Sequence, residues 1–406
     1  MIREYTSDCV HCGFCLPTCP TYVLWREEMD SPRGRIHLMD ARLDGTIALN
    51  PTVTAHFDRC LGCMACVSSC PSGVRYDRLI ESTRAAVEQE LERPVADRLV
   101  RGLLFRVLPY PGRLRAALPL APIGRAVPLP RRFRPLVEIA PRWRGRGDVP
   151  AITPAAGARR ARVGLHTGCV QRAVFPDVNA ATTRVLAADG FEVVAPPQGC
   201  CGALSVHAGR LDEGKAFARR LVDALGDVDL VVVNSSGCGS HLKELGWLLG
   251  DERAESFAAK VRDVGELLAD TSPRAPRHPV PMRVALQDSC HLRHAQRLPL
   301  SARTSLARIP GLDVVEPAEQ DLCCGSAGIY NVVQPDAARE LGDRKAANVL
   351  ATGAGAYASA NPGCLVQVSQ ALRRRQQPLP ALHPIELVDA SIRAVRAGRL
   401  RSTARR

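Results

Sequence analysis

Apolar and polar positions follow different periods in different parts of the chain. Residues 229–234 (Asp-Leu-Val-Val-Val-Asn) form a short, nearly continuous apolar run, which predicts a strand buried on both faces, as in a parallel sheet. Because comparable runs alternate with helical stretches after residue 160, the second half is predicted to be α/β with parallel sheets. Near the N-terminus, Ser31 and Pro32 are typical of an N-cap and a first helical turn, and they predict a helix over about 32–43.

A helical period marks residues 98–108. Apolar side chains occupy one helix face there, at positions 99, 100, 103, 104, 107 and 108. Arg98, Arg101 and Arg106 lie off that face. Such a basic amphipathic helix either packs on a neighbouring domain with its arginines in solvent or lies on an anionic membrane surface. We favour the first interpretation, and the second stays open.

The apolar pattern of the second half occurs twice, each time with four cysteines. The matching segments keep their order and spacing, and they are 163–169 with 284–290, 191–196 with 312–317, 200–203 with 323–326, and 234–238 with 361–364. Each copy is predicted to run strand, helix, strand, Cys-Cys-Gly loop, helix, strand, cysteine loop, helix. Because sites in parallel sheets form at the carboxyl ends of strands, the four cysteines of a copy are expected to converge.

Sixteen cysteines fall into four groups of four, and none is left over. Two groups have the spacing C-x2-C-x2-C-x3-C-P, and they are Cys9, Cys12, Cys15 and Cys19, then Cys60, Cys63, Cys66 and Cys70. This is the ligand run of bacterial two-cluster ferredoxins, in which the fourth cysteine binds the other cluster. The spacing predicts two 4Fe-4S clusters, one held by Cys9, Cys12, Cys15 and Cys70 and one held by Cys60, Cys63, Cys66 and Cys19. A pair of zinc sites is the alternative, which this pattern fits poorly.

The remaining cysteines form the candidate third and fourth sites. They are Cys169, Cys200, Cys201 and Cys238, then Cys290, Cys323, Cys324 and Cys364. Four thiolates can hold a 4Fe-4S cluster or zinc, although adjacent cysteines suit one tetrahedral zinc ion poorly. Single buried, unliganded cysteines are common, but the repeated four-position pattern favours a metal or cluster in at least one copy. His241 is a further candidate ligand, and a surface position without a role is the favoured interpretation for it.

Composition and charge narrow the function classes. The chain has 406 residues, 46% of them apolar, which is enough for several domains with buried cores. The net charge is +13, and the excess of positive charge lies in residues 98–146, with twelve arginines and one glutamate, and in residues 393–406, with six arginines and no acid, while the remaining residues together are slightly negative. Neither segment forms a known recognition module, so no nucleic-acid partner is expected.

The expected location is the cytoplasm, with peripheral attachment to the cytoplasmic face of the inner membrane through the Arg-rich segment as an alternative. The sequence contains no run of 18 apolar residues, so no transmembrane helix is predicted, and the N-terminus has no apolar signal-peptide core. Cytosolic thiols are kept reduced, which argues against a disulfide scaffold.

The double ferredoxin motif followed by two Cys-Cys-Gly repeats resembles the iron–sulfur subunit family of glycolate oxidase (glycolate dehydrogenase). The resemblance covers nearly the whole chain and is carried by residues 9–15, 31–35, 70–76, 236–239 and 322–328. We expect a multidomain fold of α/β and α+β type. Its predicted parts are a mostly helical dicluster ferredoxin-type domain (1–90), an Arg/Pro-rich helical linker (91–158), two Cys-Cys-Gly α/β domains (159–275 and 280–395) and a basic tail (396–406).

The resemblance also implies an electron-transfer role in a flavin-dependent 2-hydroxy-acid dehydrogenase complex. A separate FAD subunit would oxidise glycolate, with D-lactate as a further substrate, and this chain would pass electrons to a membrane quinone or another acceptor. No G-x-G-x-x-G fingerprint opens a strand–helix unit, so FAD is expected only in the partner, and this chain is not expected to oxidise substrate alone. Four histidines are candidates for proton transfer at a quinone site, although packing or solvent exposure is the favoured interpretation for each: His166, His207, His291 and His294.

More distant relatives with such repeats are heterodisulfide reductase subunits, lactate-utilisation proteins and the anaerobic glycerol-3-phosphate dehydrogenase iron–sulfur subunit. The alternative function is therefore a heterodisulfide-reductase-like catalytic protein or another Cys-Cys-Gly dehydrogenase subunit, for lactate utilisation or glycerol-3-phosphate. A redox-silent binding module is a third. In heterodisulfide reductases each repeat ends in Cys-x2-Cys and can hold a non-cubane cluster. In this chain the second cysteine of that pair is replaced by His241 in the first repeat and by Gln367 in the second. The replacement argues against a non-cubane cluster and against disulfide chemistry.

Overall fold

The N-terminal part of the computed structural model is built of helices and loops. The structure describes residues 2–130, 132–141, 148–395, 397, 398 and 400, so most of the predicted basic tail (396–406) lies outside the described residues. The helices of the N-terminal part are Ile2–Ser7, Pro20–Trp25, Glu28–Asp30 (a 3₁₀ turn), Pro32–Leu43, Pro51–Asp58, Ala65–Ser68 and Tyr76–Glu90. The predicted helix after Ser31 is confirmed, because the Ser31 hydroxyl accepts a hydrogen bond from the Gly34 N–H at 3.0 Å.

The predicted linker (91–158) contains helices between residues 95 and 138, which pack on both neighbouring parts of the chain, and a strand at Ile152–Thr153. Its helices are Val95–Val107, Pro111–Ala117, Leu118–Leu120 (3₁₀), Ala121–Ala126 and Arg134–Glu138. In the first of these, Val100 and Leu104 are buried, whereas Leu99 is 59% exposed. The favoured interpretation places Arg101 in solvent, and this is wrong, because its guanidinium pairs with Asp97 at 3.0 Å.

The first repeat contains a five-stranded sheet. Its strands are β1 (Ile152–Thr153), β2 (Ala161–His166), β3 (Phe191–Val194), β4 (Leu230–Val233) and β5 (Val261–Asp263), in the order β1-β3-β2-β4-β5. Only β1 is antiparallel to its neighbour. The helices are Cys169–Val174, Pro176–Ala188, Ala203–His207, Leu211–Leu225, Ser236–Lys243, Leu245–Leu249, Glu252–Lys260 and Val264–Asp270. The run 229–234 forms β4, as predicted.

The second repeat has the same topology. Its parallel strands are β6 (Met282–Leu286), β7 (Leu312–Val315), β8 (Ala356–Ala358) and β9 (Ala381–Leu382), in the order β7-β6-β8-β9. This order matches β3-β2-β4-β5 strand for strand, which confirms the duplication. The helices are His291–Ala295 (a π-helix), Ser301–Leu306, Tyr330–Val333, Pro335–Ala351, Pro362–Arg374 and Pro384–Ile392.

The two repeats share one hydrophobic core. Buried residues of β2 and β6, such as Leu165 and Val284, belong to the same cluster. The helix Pro384–Ile392 crosses to the first repeat, where Asp389 accepts two hydrogen bonds from Arg184, at 2.8 and 2.7 Å. This packing fixes the strand ends of the two sheets relative to each other and thereby positions their cysteine loops.

Candidate metal centres

The ferredoxin cysteines lie around two separate cavities. One cavity is lined by Cys9, Cys12, Cys15 and Cys70, together with Cys66. The other is lined by Cys19, Cys60, Cys63 and Cys66. The fourth cysteine of each motif thus lies with the first three of the other motif, which is the exchange that the spacing predicts. The assignment of these thiols as cluster ligands stays a prediction.

Positive charge is buried beside the second cavity. Arg35 is only 1% exposed, and its guanidinium donates to the His56 carbonyl oxygen at 2.6 Å and to Asp30 at 3.3 Å. Burial alone would raise the pKa of the Cys60 thiol, but Arg35 and Arg84 together lower it below its usual value. The backbone N–H of Gly62 also points at the Cys60 sulfur, at 3.4 Å. This loop therefore favours thiolate and, more generally, negative charge.

The second ferredoxin loop is docked on the second repeat. Leu61 and Cys63 share a hydrophobic cluster with Leu322 and Cys323. His291 follows Cys290 in the sequence, and a ring nitrogen of His291 lies 2.9 Å from the Gly62 carbonyl oxygen. Because Cys290 adds to the rise in the Cys63 thiol pKa that burial causes, the two sulfurs are electrostatic neighbours. The ferredoxin part and the second repeat thus place their cysteine sites side by side.

The Cys-Cys-Gly loops converge on a shared cavity of about 570 Å³. All eight cysteines of the two repeats line it, and three of their sulfur pairs lie within 4 Å: Cys169–Cys200 at 3.4 Å, Cys324–Cys364 at 3.3 Å and Cys290–Cys323 at 3.9 Å. The rest of the wall is largely apolar and includes linker residues such as Leu104, Val107, Leu108, Leu118 and Ile139. The linker therefore closes a chamber between the two repeats, a role that its amphipathic pattern did not indicate.

Comparison with known proteins gives the family. Residues 163–243 and 284–369 match the cysteine-rich (CCG) domain, and residues 5–74 match the 4Fe-4S dicluster domain. The probable glycolate oxidase iron-sulfur subunit of Bacillus subtilis is 37% identical over 395 residues, which cover 90% of this chain and 89% of that protein. The glycolate oxidase iron-sulfur subunit of Escherichia coli is 36% identical over 403 residues, 95% of this chain and 93% of that protein. The chain belongs to the glycolate oxidase iron–sulfur subunit family.

A further relative is named for a different activity. One subunit of the fumarate reductase (CoM/CoB) of Methanothermobacter marburgensis is 30% identical over 361 residues, which cover 81% of this chain and 71% of that protein. Proteins that are similar to this chain over most of its length are therefore named for more than one oxidoreductase. In the part of this family member that the structure describes, no helix is both long and apolar enough to cross a bilayer.

The donor sets of this iron–sulfur subunit fit iron–sulfur clusters. The first ferredoxin cavity offers five cysteine thiols and the second offers four, with Cys66 lining both, and the Cys60 sulfur also receives a hydrogen bond from the Tyr76 hydroxyl at 3.7 Å. In the first repeat, the neighbouring Cys201 and His166 side chains lower the pKa of the Cys238 thiol to about 5, although burial opposes the shift. Thiolate is the form that binds metal, so these surroundings favour ligation.

The glycine of each Cys-Cys-Gly motif serves helix packing. Gly202 and Gly325 have φ of +97° and +87°, a backbone region that other residues rarely adopt. A Cβ on Gly325 would lie 2.7 Å from the Ala338 carbonyl oxygen, and one on Gly202 would collide with the Gly214 carbonyl oxygen. At Gly325, the space that the missing side chain leaves faces the helix Pro335–Ala351.

The histidines near the repeats are largely buried. His241 is 6% exposed and its Nε2 lies 3.2 Å from the Cys201 carbonyl oxygen, so the expected surface position is wrong. His207 pairs with Glu81 at 2.8 Å. A further, polar cavity of about 340 Å³ lies between the ferredoxin part and the repeats, and it is lined by His207, His241, His291 and His294. Sequence reasoning missed this cavity, because its residues come from three distant segments.

Proposed function

We propose that this chain is the electron-transfer subunit of a flavin-dependent 2-hydroxy-acid dehydrogenase. In this proposal a partner FAD subunit oxidises glycolate, with D-lactate as a further substrate, and this chain carries the electrons onward. The observation that carries the proposal is the docking of the second ferredoxin loop on the second repeat, through Cys63 and Cys323. Bound clusters would supply one-electron carriers, and this packing keeps neighbouring carriers close and away from water.

The proposed ligand sets follow the cavities. The first 4Fe-4S cluster is assigned to Cys9, Cys12, Cys15 and Cys70, and the second to Cys60, Cys63, Cys66 and Cys19. The third and fourth sites are assigned to Cys169, Cys200, Cys201 and Cys238, and to Cys290, Cys323, Cys324 and Cys364. The domain boundaries given above (1–90, 91–158, 159–275, 280–395 and 396–406) are part of the same proposal.

The loop of the first ferredoxin motif is the proposed docking face for the FAD subunit. Val10 and Phe14 are 69% and 65% exposed and flank Cys12, which is also exposed. Large exposed apolar side chains beside a redox site are suited to a partner surface. Electrons from the flavin would then enter at the first cluster, which lies farther from the repeats than the second.

Substitution of Phe14 by Asp is expected to weaken the affinity for the FAD partner by at least about tenfold, because truncated interface anchors typically change binding by 2 kcal/mol or more. Co-purification of the tagged subunits measures this. Glycolate should reduce the clusters, seen by EPR, in the complex and not in the isolated chain. Leu300→Asp is the matched control, since Leu300 is 66% exposed on the second repeat. Reduction of the isolated chain by glycolate would refute the proposal.

A membrane quinone is the proposed acceptor, and the shared chamber is its proposed site. The chamber reaches the surface at Leu103 and Leu120, which line it and are 46% and 61% exposed. Val95, Leu99 and Leu103 are spaced four residues apart and form one exposed stripe of the helix Val95–Val107. With exposed arginines beside it, this stripe suits an anionic bilayer surface, so peripheral attachment and quinone entry would occur at the same place.

The double substitution Val95→Glu and Leu99→Glu is expected to lower binding to vesicles of phosphatidylglycerol and phosphatidylethanolamine by about tenfold or more. The reason is that each apolar side chain contributes about 1.5–3 kcal/mol when buried. Flotation of the purified protein with the vesicles measures the bound fraction. Leu300→Glu is the control and should bind like the wild type. Equal binding by the double variant would show that this stripe does not contact the membrane.

A heterodisulfide-reductase-like catalytic role is the second candidate. It is favoured by one observation, namely that both sets of Cys-Cys-Gly cysteines face one chamber, as two halves of a single site would. This candidate requires reduction of a disulfide at the chamber without a flavoprotein. Activity of the isolated, chemically reduced chain on disulfide acceptors, absent from a Cys324→Ser variant, would favour it over the first proposal.

A further inference from the structure

The two Cys-Cys-Gly sites differ in one buried side chain. β2 ends at His166, whereas the corresponding residue after β6 is Gln287. His166 is 1% exposed, and its Nε2 has no hydrogen-bond partner among the described residues. A buried polar atom without a partner is unfavourable unless something else binds it. The Cys201 and Cys238 sulfurs are the groups that lie beside this imidazole.

Hydrogen bonds determine which ring nitrogen of His166 carries the proton. The Gln198 amide nitrogen donates to the Leu165 carbonyl oxygen at 2.9 Å, and the Gln198 amide oxygen accepts from the Thr167 N–H at 3.1 Å. The same oxygen lies 2.9 Å from His166 Nδ1. Because an amide oxygen only accepts, Nδ1 carries the hydrogen, so in the neutral form of the ring the lone pair is at Nε2.

This arrangement is the usual one for a metal-binding histidine, whose second nitrogen donates to a carbonyl or carboxylate that fixes the ring. A ligand atom of His166 and the sulfurs of Cys201 and Cys238 all lie within 4.8 Å of one another. Cys200 and Cys169 continue the group, with their sulfurs 3.4 Å apart. The first site therefore offers five donors, four thiols and one imidazole.

We propose that His166 Nε2 is a ligand of the metal in the first Cys-Cys-Gly site, which is thus a mixed thiolate–imidazole centre, while the second site has thiolates only. This inference rests on the proposed function, because it assumes that the repeats hold metal. The ligand chemistry is shared by an iron of a cluster and by a zinc ion, both of which accept imidazole nitrogen. His241 does not take this role, since its Nε2 is directed at the Cys201 carbonyl oxygen.

The second repeat supplies an internal comparison. Gln320 holds its loop as Gln198 does, because its amide nitrogen donates to the Leu286 carbonyl oxygen at 2.8 Å and its amide oxygen accepts from the Asp288 N–H at 3.0 Å. Gln287, however, accepts from the Tyr357 hydroxyl at 2.7 Å and is satisfied without a metal. A glutamine that fixes the loop is thus present in both copies, as Gln198 and Gln320, whereas an imidazole whose Nε2 has no partner in the described part of the chain is present in the first copy.

A different ligand set gives the two sites different redox properties. Imidazole is neutral where thiolate is negative, and replacement of thiolates by histidines raises the reduction potential of iron–sulfur centres. If the first site holds iron, its potential should lie above that of the second site. The second site adjoins the ferredoxin loop, so electrons would move from it towards the first site.

The test uses the full-length protein, purified anaerobically with its metal and labelled with 15N only in histidine. Iron, zinc and sulfide are measured per chain. If the first site holds iron, pulsed EPR of the reduced protein should show a directly coupled 15N, which is lost in His166→Gln and kept in His207→Gln. If it holds zinc, X-ray absorption should show a nitrogen at about 2.0–2.1 Å among sulfurs at about 2.3 Å, again lost only in His166→Gln.

The possible failures are distinguishable. Metal in the first site without a nitrogen ligand in the wild type, or a nitrogen signal that persists in His166→Gln, overturns the role of His166 and leaves the proposed function intact. About eight iron atoms per chain, with no zinc, would show that the repeats hold no metal, and would overturn both this inference and that part of the proposed function. If His166→Gln does not fold, the labelled wild type still tests the proposal, because metal in the first site without a directly coupled 15N overturns it and a coupled 15N supports it.

Discussion

Replacement of Cys63 by Ser is expected to remove or convert the second ferredoxin cluster and to interrupt electron transfer between the FAD subunit and the repeats. Cys63 lines the second cavity and also touches the second repeat, so its loss affects both the cluster and the contact through which electrons leave. Transfer to the acceptor should fall by more than about 100-fold. Loss of a group that only orients a metal ligand lowers metal affinity or activity by up to about 100-fold, and Cys63 is itself a proposed ligand.

Iron and sulfide analysis and EPR of the anaerobically purified protein measure the effect. The wild type is expected to contain about twelve to sixteen iron atoms per chain, and Cys63→Ser between one and four fewer. Cys364→Ser is the control: it affects the second repeat and should leave both ferredoxin signals unchanged. Unchanged iron content and unchanged transfer in Cys63→Ser would show that Cys63 is not a ligand.

Features encoded by neighbouring residues were predictable from the sequence. The Ser31 cap lies three residues from the N–H that it accepts, so local chemistry alone predicts the helix Pro32–Leu43. The duplicated strand order follows from two matched sets of apolar runs. In contrast, β5 and β9 have three and two residues, which is too short for a period to be recognised.

Features that depend on packing between distant residues were not predictable. The contact of His291 with the Gly62 carbonyl oxygen joins residues 229 positions apart, and the linker's role as a wall of the chamber exists only once both repeats are folded. His166 illustrates the same limit. Its metal-binding geometry depends on Gln198, 32 residues away, and no spacing motif in the sequence marks that pair.

Arg35 supports the second cluster site in two ways, through hydrogen bonds and through charge. It donates to the His56 carbonyl oxygen, to Thr21 and to Asp30, all in the interior. Loss of one partner of a buried ion pair usually destabilises a protein by about 3–5 kcal/mol. Asp30 keeps a second partner, Arg59, at 2.9 Å, so Arg35→Met is expected to lower the free energy of unfolding by about 3 kcal/mol, the lower end of this range.

Arg35→Met should also lower the reduction potential of the second cluster, because reduction adds negative charge and the substitution removes a buried positive charge beside Cys60. An EPR-monitored redox titration measures the potential, and anaerobic denaturation measures the stability. Arg35→Lys keeps the charge but not the planar fork, so it should lose stability and keep most of the potential. Arg42→Met is the control on the same helix, since Arg42 pairs with Glu90 near the surface and should change stability by less than about 1 kcal/mol. Equal potentials in the wild type, Arg35→Lys and Arg35→Met would mean that Arg35 acts only through its hydrogen bonds.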